Sequence, residues 1–100
     1  MGTSAHAETV DVRYRGPVDL NSFICKNTIS NFVNRVCYDE KNLYLVLLLK
    51  NTYYHYCEMP KAVLDDFLAA ESFGRFYNAN IKGTGKDGPY DCRTHKVPTY

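Results

Sequence analysis

The fold is decided between residues 43 and 57, where the chain reads LYLVLLLKNTYYHYC. Leu43–Leu49 is an unbroken apolar run, and Tyr53–Cys57 carries three tyrosines, a composition typical of β-strands. Between them, Lys50-Asn51 or Asn51-Thr52 suits a tight turn, because asparagine tolerates a positive φ. The stretch therefore predicts a β-hairpin.

The segments on either side of the hairpin extend this prediction. Asn31–Tyr38 is rich in strand-forming residues and is followed by a polar turn at 39–42, so we expect a three-stranded antiparallel meander. After the hairpin, Pro60 suits the first position of a helix, and Ser72 can cap a second, short helix that ends at Gly83. The apolar stripe of the first helix comprises Val63, Leu64, Phe67 and Leu68.

The N-terminal residues are expected to be mostly irregular. Val10 and Val12 alternate with charged residues as in a short strand, which Gly16-Pro17 should break. Residues 19–28 are interpreted as a loop around a buried segment, Phe23-Ile24-Cys25.

Both faces of the strand 43–49 are apolar, so both must be covered. A solvated sheet face is normally polar, and leaving three leucines in water would cost several kcal/mol, at about 1.5–3 kcal/mol per side chain. We expect the two helices to cover the face that carries Tyr44, Val46 and Leu48, together with Tyr54 and Tyr56. The terminal arms, or a second copy of the chain, should cover the leucine face.

These features predict a single α+β domain. It comprises a three-stranded antiparallel meander followed by two packed helices, with extended N- and C-terminal arms. The domain is assigned to residues 10–100, with its core at 30–83. Residues 1–9 are interpreted as a leader or the remnant of a signal peptide, because Ala5-His6-Ala7 has the small-x-small pattern of a signal-peptidase site.

Composition excludes several classes of protein. A chain of 100 residues allows one small domain, and a net charge of +1 does not indicate a strongly basic nucleic-acid binder. The 45% of apolar residues excludes a disordered chain. The apolar run of the hairpin is far shorter than the ~20 residues of a membrane helix, so no membrane insertion is expected.

Four cysteines, Cys25, Cys37, Cys57 and Cys92, form an even set without a CxxC pair. Zinc ligands usually come in close pairs, and His55 with Cys57 is a pair that nothing completes, so we expect no metal. We expect two disulfides, with all three pairings open, and buried free thiols are the alternative. Disulfides and export support each other in an oxidising compartment, so a periplasmic or secreted location is expected, with the cytoplasm as the alternative.

From Ser30 to Gly83, the order of features resembles the KTSC domain, a family first named from the C-terminus of some lysyl-tRNA synthetases. The matching stretches are Val36–Asp39, the YxY motif Tyr54-His55-Tyr56, Met59-Pro60, Ala70–Asn78 and Ile81-Lys82.

Two residues depart from the family pattern, since Cys37 and Asn51 stand where glycine is common. The arms that carry Cys25 and Cys92 resemble the extension of exported stand-alone members. The resemblance implies no established enzymatic activity. It associates the family with RNA binding only through the synthetase context.

The tyrosines of the last predicted strand are the first candidates for ligand contact. Tyr54 and Tyr56 could stack on bases, which is worth ~1–3 kcal/mol per base, or they could be core residues beneath the helices. Tyr53 and His55 lie on the opposite face and become exposed if the arms leave it open.

The motif between the helices supplies three more candidates. Arg75 and Asn78 could contact a ligand beside Tyr77. A structural interpretation accounts for the same motif, with Ser72 as a cap, Gly74 permitting close packing and Asn78 bonding to backbone groups.

The C-terminal tail supplies the last two candidates, Lys82 and Arg93. From residue 82 onward, four basic side chains face two acidic ones. With Arg13, Arg15 and Tyr90 they could form a mildly basic groove, although a solvated arm is the more ordinary explanation of so small an excess.

The sequence contains no recognisable catalytic motif. It has no G-x-S-x-G, and Gly83–Asp87 fails the P-loop pattern. We therefore predict a small non-catalytic binding module without a cofactor, whose partner is an unknown protein or small ligand. The alternative is an RNA or single-stranded nucleic-acid binder that uses the tyrosines and the basic tail. A homodimer through the leucine face is left open.

Overall fold

One mixed sheet of six strands runs through the structure, a computed structural model that describes residues 8–82 and 89–100. The strand order is β2-β1-β6-β5-β4-β3. The strands are β1 (Thr9–Val12), β2 (Gly16–Asp19), β3 (Ile24–Asn27), β4 (Val33–Asp39), β5 (Tyr44–Leu49) and β6 (Thr52–Tyr56), followed by the helices α1 (Lys61–Ala69) and α2 (Phe73–Phe76) and a π-helical turn, Tyr77–Ile81. The α+β class is confirmed, but the predicted meander is only half of the sheet.

The three central strands form the predicted antiparallel meander, β4-β5-β6. The turn between β5 and β6 is Lys50-Asn51, and Lys50 rather than Asn51 takes the positive φ, at 58°. The Lys50 N–H donates to the carbonyl oxygen of Phe32 at 2.9 Å, which fixes this turn against the start of β4.

The N-terminal arm is more regular than predicted. Gly16-Pro17 does not end a strand but begins β2, which pairs with β1 as a hairpin; β2 is an edge strand, where proline is tolerated. The expected loop at 19–28 contains β3, in which Ile24 is 73% exposed rather than buried. β3 pairs with the outer edge of β4 and thereby satisfies its backbone N–H and C=O groups. The local sequence does not reveal this tertiary contact.

The start of the folded chain also differs from the prediction. Glu8 and Thr9 were assigned to the leader, but Thr9 begins β1. Both carboxylate oxygens of Glu8 accept hydrogen bonds from the Arg35 guanidinium, at 2.6 and 2.7 Å. Residues 1–7, including Ala5-His6-Ala7, lie outside the described residues.

The helical stripe is confirmed, with Leu64 and Phe67 buried. Pro60 is the N-cap residue of α1 rather than its first residue. Ser72 caps α2 as predicted, since its Oγ accepts a hydrogen bond from the Arg75 N–H at 3.2 Å. The predicted stop at Gly83 lies outside the described residues.

The two faces of the sheet are covered as two separate cores. The helices cover one, and the arms cover the other, as predicted. The helix face contains Val33, Val36, Tyr38, Leu45, Leu47, Leu49, Met59, Leu64, Phe67, Tyr77 and Ile81. The arm face contains Val10, Val12, Val18, Leu20, Phe23, Cys37, Tyr44, Val46, Cys57 and Cys92.

The predicted assignment of residues to these faces was wrong. Tyr54 lies opposite Leu47 and Tyr56 opposite Leu45, so both tyrosines share the leucine face beneath the helices rather than the face of Tyr44. The two-residue loop pairs Leu49 with Thr52, and directly opposed residues share a face. Since the helices cover the leucine face, the expected reason for a homodimer disappears.

Two disulfides, Cys25–Cys37 and Cys57–Cys92, confirm the expected number and select one of the three pairings. The suggested metal pair of His55 and Cys57 is ruled out, because the Cys57 sulfur is bonded to Cys92. Across the described residues, no three metal-binding side chains come together. Within the same ranges, the helices lack the length and apolar character needed to cross a membrane.

Candidate functional site

A groove of about 590 Å³ lies along the outer edge of β6. Its lining comes from four parts of the chain: the turn between β1 and β2, β6, the π-helical turn with the residue after it, and the C-terminal tail. Six of the nine candidate residues are brought together in it, namely Tyr54, His55, Tyr56, Tyr77, Lys82 and Arg93.

The other three candidates lie elsewhere. The Tyr53 hydroxyl accepts a hydrogen bond from Arg35 at 3.1 Å on the arm side of the sheet. Arg75 and Asn78 are exposed on the helical segment and do not line the groove. Among the described residues, Asn78 bonds to no backbone group, whereas the Asn80 side chain donates to the Phe76 carbonyl oxygen at 3.3 Å.

The predicted role of Gly74 in permitting close packing is also not supported. A Cβ built on Gly74 would meet a ring carbon of Phe32 at 4.0 Å, an ordinary contact.

The main chain of β6 is left open in the middle of this edge. β1 pairs with β6 at Tyr53 alone, where the Arg13 N–H donates to the Tyr53 carbonyl oxygen at 2.9 Å. At the other end, the Cys57 N–H donates to the Tyr90 carbonyl oxygen at 2.9 Å. Alternate residues of a strand face the same edge, so His55 also faces outward. Within residues 8–82 and 89–100, nothing bonds to its N–H or its C=O.

Neutral aromatic groups form one side of the groove. The hydroxyls of Tyr56 and Tyr77 are 2.6 Å apart, and their rings meet edge to face with centroids 5.9 Å apart. Burial is the main cause that raises the pKa of both hydroxyls above the ordinary value, so both stay protonated at neutral pH.

His55 is held by a chain of polar groups on the arm side. Its Nδ1 lies 2.7 Å from the Tyr44 hydroxyl, which accepts a long hydrogen bond from Arg15 at 3.4 Å. Burial, and then the positive charge of Arg15, lower the pKa of His55 below 6.5, although Asp91 opposes them. The imidazole is therefore neutral at pH 7.

The cations of the groove are unequal. Arg93 forms a bidentate pair with Asp91, with Nη2–Oδ2 2.7 Å and Nε–Oδ1 3.1 Å. Lys82 is exposed, and no described carboxylate lies within ion-pair distance of its ammonium group. Among the described residues of the groove, Lys82 thus carries the one uncompensated positive charge.

Sequence reasoning missed Tyr14, which also lines the groove. It is 85% exposed and has a φ of 69° in the turn between β1 and β2. The predicted break at Gly16-Pro17 concealed this hairpin, so no local signal placed Tyr14 beside β6. Tyr90, which was assigned to a basic groove, does line the site, but Arg15 instead lies over the Tyr44 ring, 5.4 Å from its centroid.

Comparison with known proteins supports the resemblance noted in the sequence. The model of the KTSC domain matches residues 29–84. The crystal structure of a KTSC domain protein from Yersinia pestis is similar, with 27% sequence identity and a TM-score of 0.58; the match covers 62% of this chain and 89% of that chain. No curated protein matches the chain.

The matched segment divides the groove. Tyr54, His55 and Tyr77 lie within it, whereas Tyr14 and Tyr90 lie in the arms outside it. Each disulfide likewise joins one cysteine of the matched segment to one outside it.

Proposed function

We propose that this chain, which belongs to the KTSC domain family, is a small non-catalytic binding module whose ligand lies in the groove at the outer edge of β6. The observation that carries the proposal is the meeting, in a single concave site, of aromatic rings, an open main-chain edge and the Lys82 ammonium group, which no described carboxylate pairs with. Largely apolar clefts with a few directed polar groups are the usual form of ligand sites.

The chemistry of the groove favours binding over catalysis. Its cysteine, Cys92, is held in a disulfide and is no nucleophile. The Nδ1 atom of His55 is occupied by the Tyr44 hydroxyl, and Asp91 is paired with Arg93. We therefore assign these groups to shaping the site, with no cofactor.

The groove is tested by mapping small probes on the ¹⁵N-labelled oxidised protein. A mixture of indole, glucose and N-acetylglycine methylamide should shift amide signals around His55, Tyr56 and Lys82. Tyr14→Ala, at an exposed rim position, should weaken these shifts, whereas Ile29→Ala, fully exposed elsewhere, should not. Shifts scattered over the surface, or none in the groove, would contradict the proposal.

An oxidising compartment, either the periplasm or the cell exterior, fits this module best. Two disulfides that tie the arms to the sheet support such a location, because reducing cytosol would keep the thiols free. Thiol counting on protein isolated under alkylation from its native cells tests this. No free thiol is expected, and four free thiols would favour the cytoplasmic alternative.

Binding of RNA or single-stranded nucleic acid is the second candidate, since tyrosine rings and cations share the groove. The charge count disfavours it, because Asp91 neutralises Arg93 and leaves Lys82 as the uncompensated cation of the described lining. Oligouridylate at two salt concentrations decides the matter. A logarithmic salt slope of about −2 or steeper would correspond to about three phosphate contacts and favour this candidate.

A further inference from the structure

We propose that the occupant of the groove is a short extended peptide segment with an acidic side chain, which adds to the edge of β6 by pairing with the main chain of His55. This inference rests on the proposed binding function and names its ligand class. It follows from the unpaired main-chain groups on the outer side of β6 and from the side chains that surround them in the groove.

The hydrogen bonds on the outer side of β6 are present at both ends of the strand and missing between them. At one end the Arg13 N–H donates to the Tyr53 carbonyl oxygen, and at the other end the Cys57 N–H donates to the Tyr90 carbonyl oxygen. The four residue steps between these points span about 13 Å. In the described chain, the N–H and C=O of His55 are the outward-facing pair left without a partner in this interval.

A peptide in extended conformation is the ligand that fills such a gap. One of its residues offers a donor and an acceptor with the spacing of a strand pair, as in strand addition to open sheet edges. A nucleic-acid backbone presents acceptors at its phosphates and would leave the His55 carbonyl unsatisfied. The existing closures by Arg13 and Tyr90 limit the pairing segment to a few residues.

The side chains around the gap suit an added strand. Tyr54 and Tyr56 lie on the helix face of β6, and His55 lies on the arm face. Successive side chains of an added strand would point to these two faces in turn. The ammonium group of Lys82, without a described acidic partner, favours a carboxylate on the segment.

Selection from a displayed library of random heptapeptides against the oxidised chain tests the inference. Peptides that contain Asp or Glu should be enriched, and the enriched peptide should slow hydrogen exchange of the His55 amide. Replacing one peptide N–H by an ester oxygen, scanned along the peptide, should weaken binding about tenfold at one position, which is the effect of one lost hydrogen bond. Equal affinity for every ester analogue would overturn the proposal.

Two substitutions at one position separate main chain from side chain. His55→Pro removes the outward N–H but keeps the ladder to β5, which uses Tyr54 and Tyr56. His55→Ala keeps that N–H. Binding should fall at least tenfold in the proline variant and less than threefold in the alanine variant. Equal losses would overturn the proposal, and the ester series on the unmodified protein decides it if His55→Pro does not fold.

The charge of the ligand is tested separately. Lys82→Glu should weaken binding of the enriched acidic peptide about tenfold, whereas Lys61→Glu on the far helix should not. If both variants bind equally well, the acidic preference is wrong.

Failure of this inference differs from failure of the binding function. If indole or oligouridylate maps to the groove while no peptide is enriched, the groove is a binding site and the peptide assignment is overturned. If no probe and no peptide binds there, the binding function and the peptide assignment are both overturned.

Discussion

The two faces of the sheet bury cores of similar size by different means. The helix face is covered by α1, α2 and the π-helical turn, which follow β6 directly in the chain. The arm face is covered by residues from both ends of the described chain, which meet over Tyr44 and Val46. One core follows from local patterns, whereas the other depends on contacts between residues far apart in sequence.

Apolar packing stabilises the helix face. Phe67 is fully buried and packs against the rings of Phe73 and Phe76, each with centroids 5.6 Å away. The Tyr38 hydroxyl donates to the Met59 carbonyl oxygen at 2.6 Å, which fastens the entry to α1. This core contains no disulfide.

Covalent and polar contacts hold the arm face together. Tyr100 packs against Phe23 and Tyr44, with centroids 4.9 and 5.5 Å apart, and its hydroxyl donates to buried Asp39 at 2.7 Å. The guanidinium of Arg15 lies over the rings of both Tyr44 and Tyr100. The two disulfides add covalent links between the arms and the central strands.

The largest expected effect is a cavity in the helix face. Phe67→Ala should lower the free energy of unfolding by about 5 kcal/mol, the upper end for such truncations, because two ring contacts are lost with the burial. Urea denaturation followed by circular dichroism measures it. The neighbouring exposed Asp66→Ala should stay within about 0.5 kcal/mol. A loss below about 1 kcal/mol for Phe67→Ala would show that this face does not depend on helix packing.

The two disulfides should contribute unequally to the free energy of unfolding. Replacing Cys57 and Cys92 by alanine should cost about 4 kcal/mol, and replacing Cys25 and Cys37 about 3 kcal/mol, because the first link spans 35 residues and the second 12. Hydrogen exchange of these variants should show that backbone amides lose protection first in β1, β2 and the tail, while the amides of β4 and β5 stay protected. Simultaneous loss on both faces would mean that they are one cooperative unit.

A smaller effect is expected from the last tyrosine. Tyr100→Phe removes the hydrogen bond to the Asp39 carboxylate and should lower stability by about 2 kcal/mol. Tyr54→Phe is the matched control on the other face, since its hydroxyl makes no hydrogen bond within residues 8–82 and 89–100. Thermal unfolding compares the two variants. Equal stabilities would show that the hydrogen bond from Tyr100 to Asp39 does not stabilise the arm face.

The last expected effect appears only in alkaline solution and is absent at neutral pH. Burial raises the pKa of Tyr44 to about 12, against the opposing charge of Arg15. The folded value exceeds the unfolded value near 10, so this stabilisation is complete below about pH 10 and is lost between about pH 10 and 12. Tyr44→Phe should therefore show a shallower fall in stability over this window in urea denaturation. An unchanged slope would place the Tyr44 hydroxyl in contact with water.

Much of the site was predictable because it lies on predictable elements. The YxY strand and the stretch around Tyr77 have distinctive compositions, so the sequence named Tyr54, His55, Tyr56 and Tyr77 as candidates, and the structure places all four along the groove. Tyr53 was a candidate on the opposite face of the strand, and the structure places it outside the groove, where its hydroxyl accepts a hydrogen bond from Arg35 that the sequence does not reveal. The open main chain at His55 was not predictable, since it depends on where β1 stops pairing.

Residue type and spacing along a few neighbouring positions were enough to predict the meander, the helical stripe, the even set of cysteines and the need to cover both sheet faces. The folded chain was needed to assign each tyrosine to a face, to pair the cysteines and to show how the arms close around β6. A change of one residue in a loop reverses every side chain of a strand, and contacts between distant residues leave no local pattern in the chain.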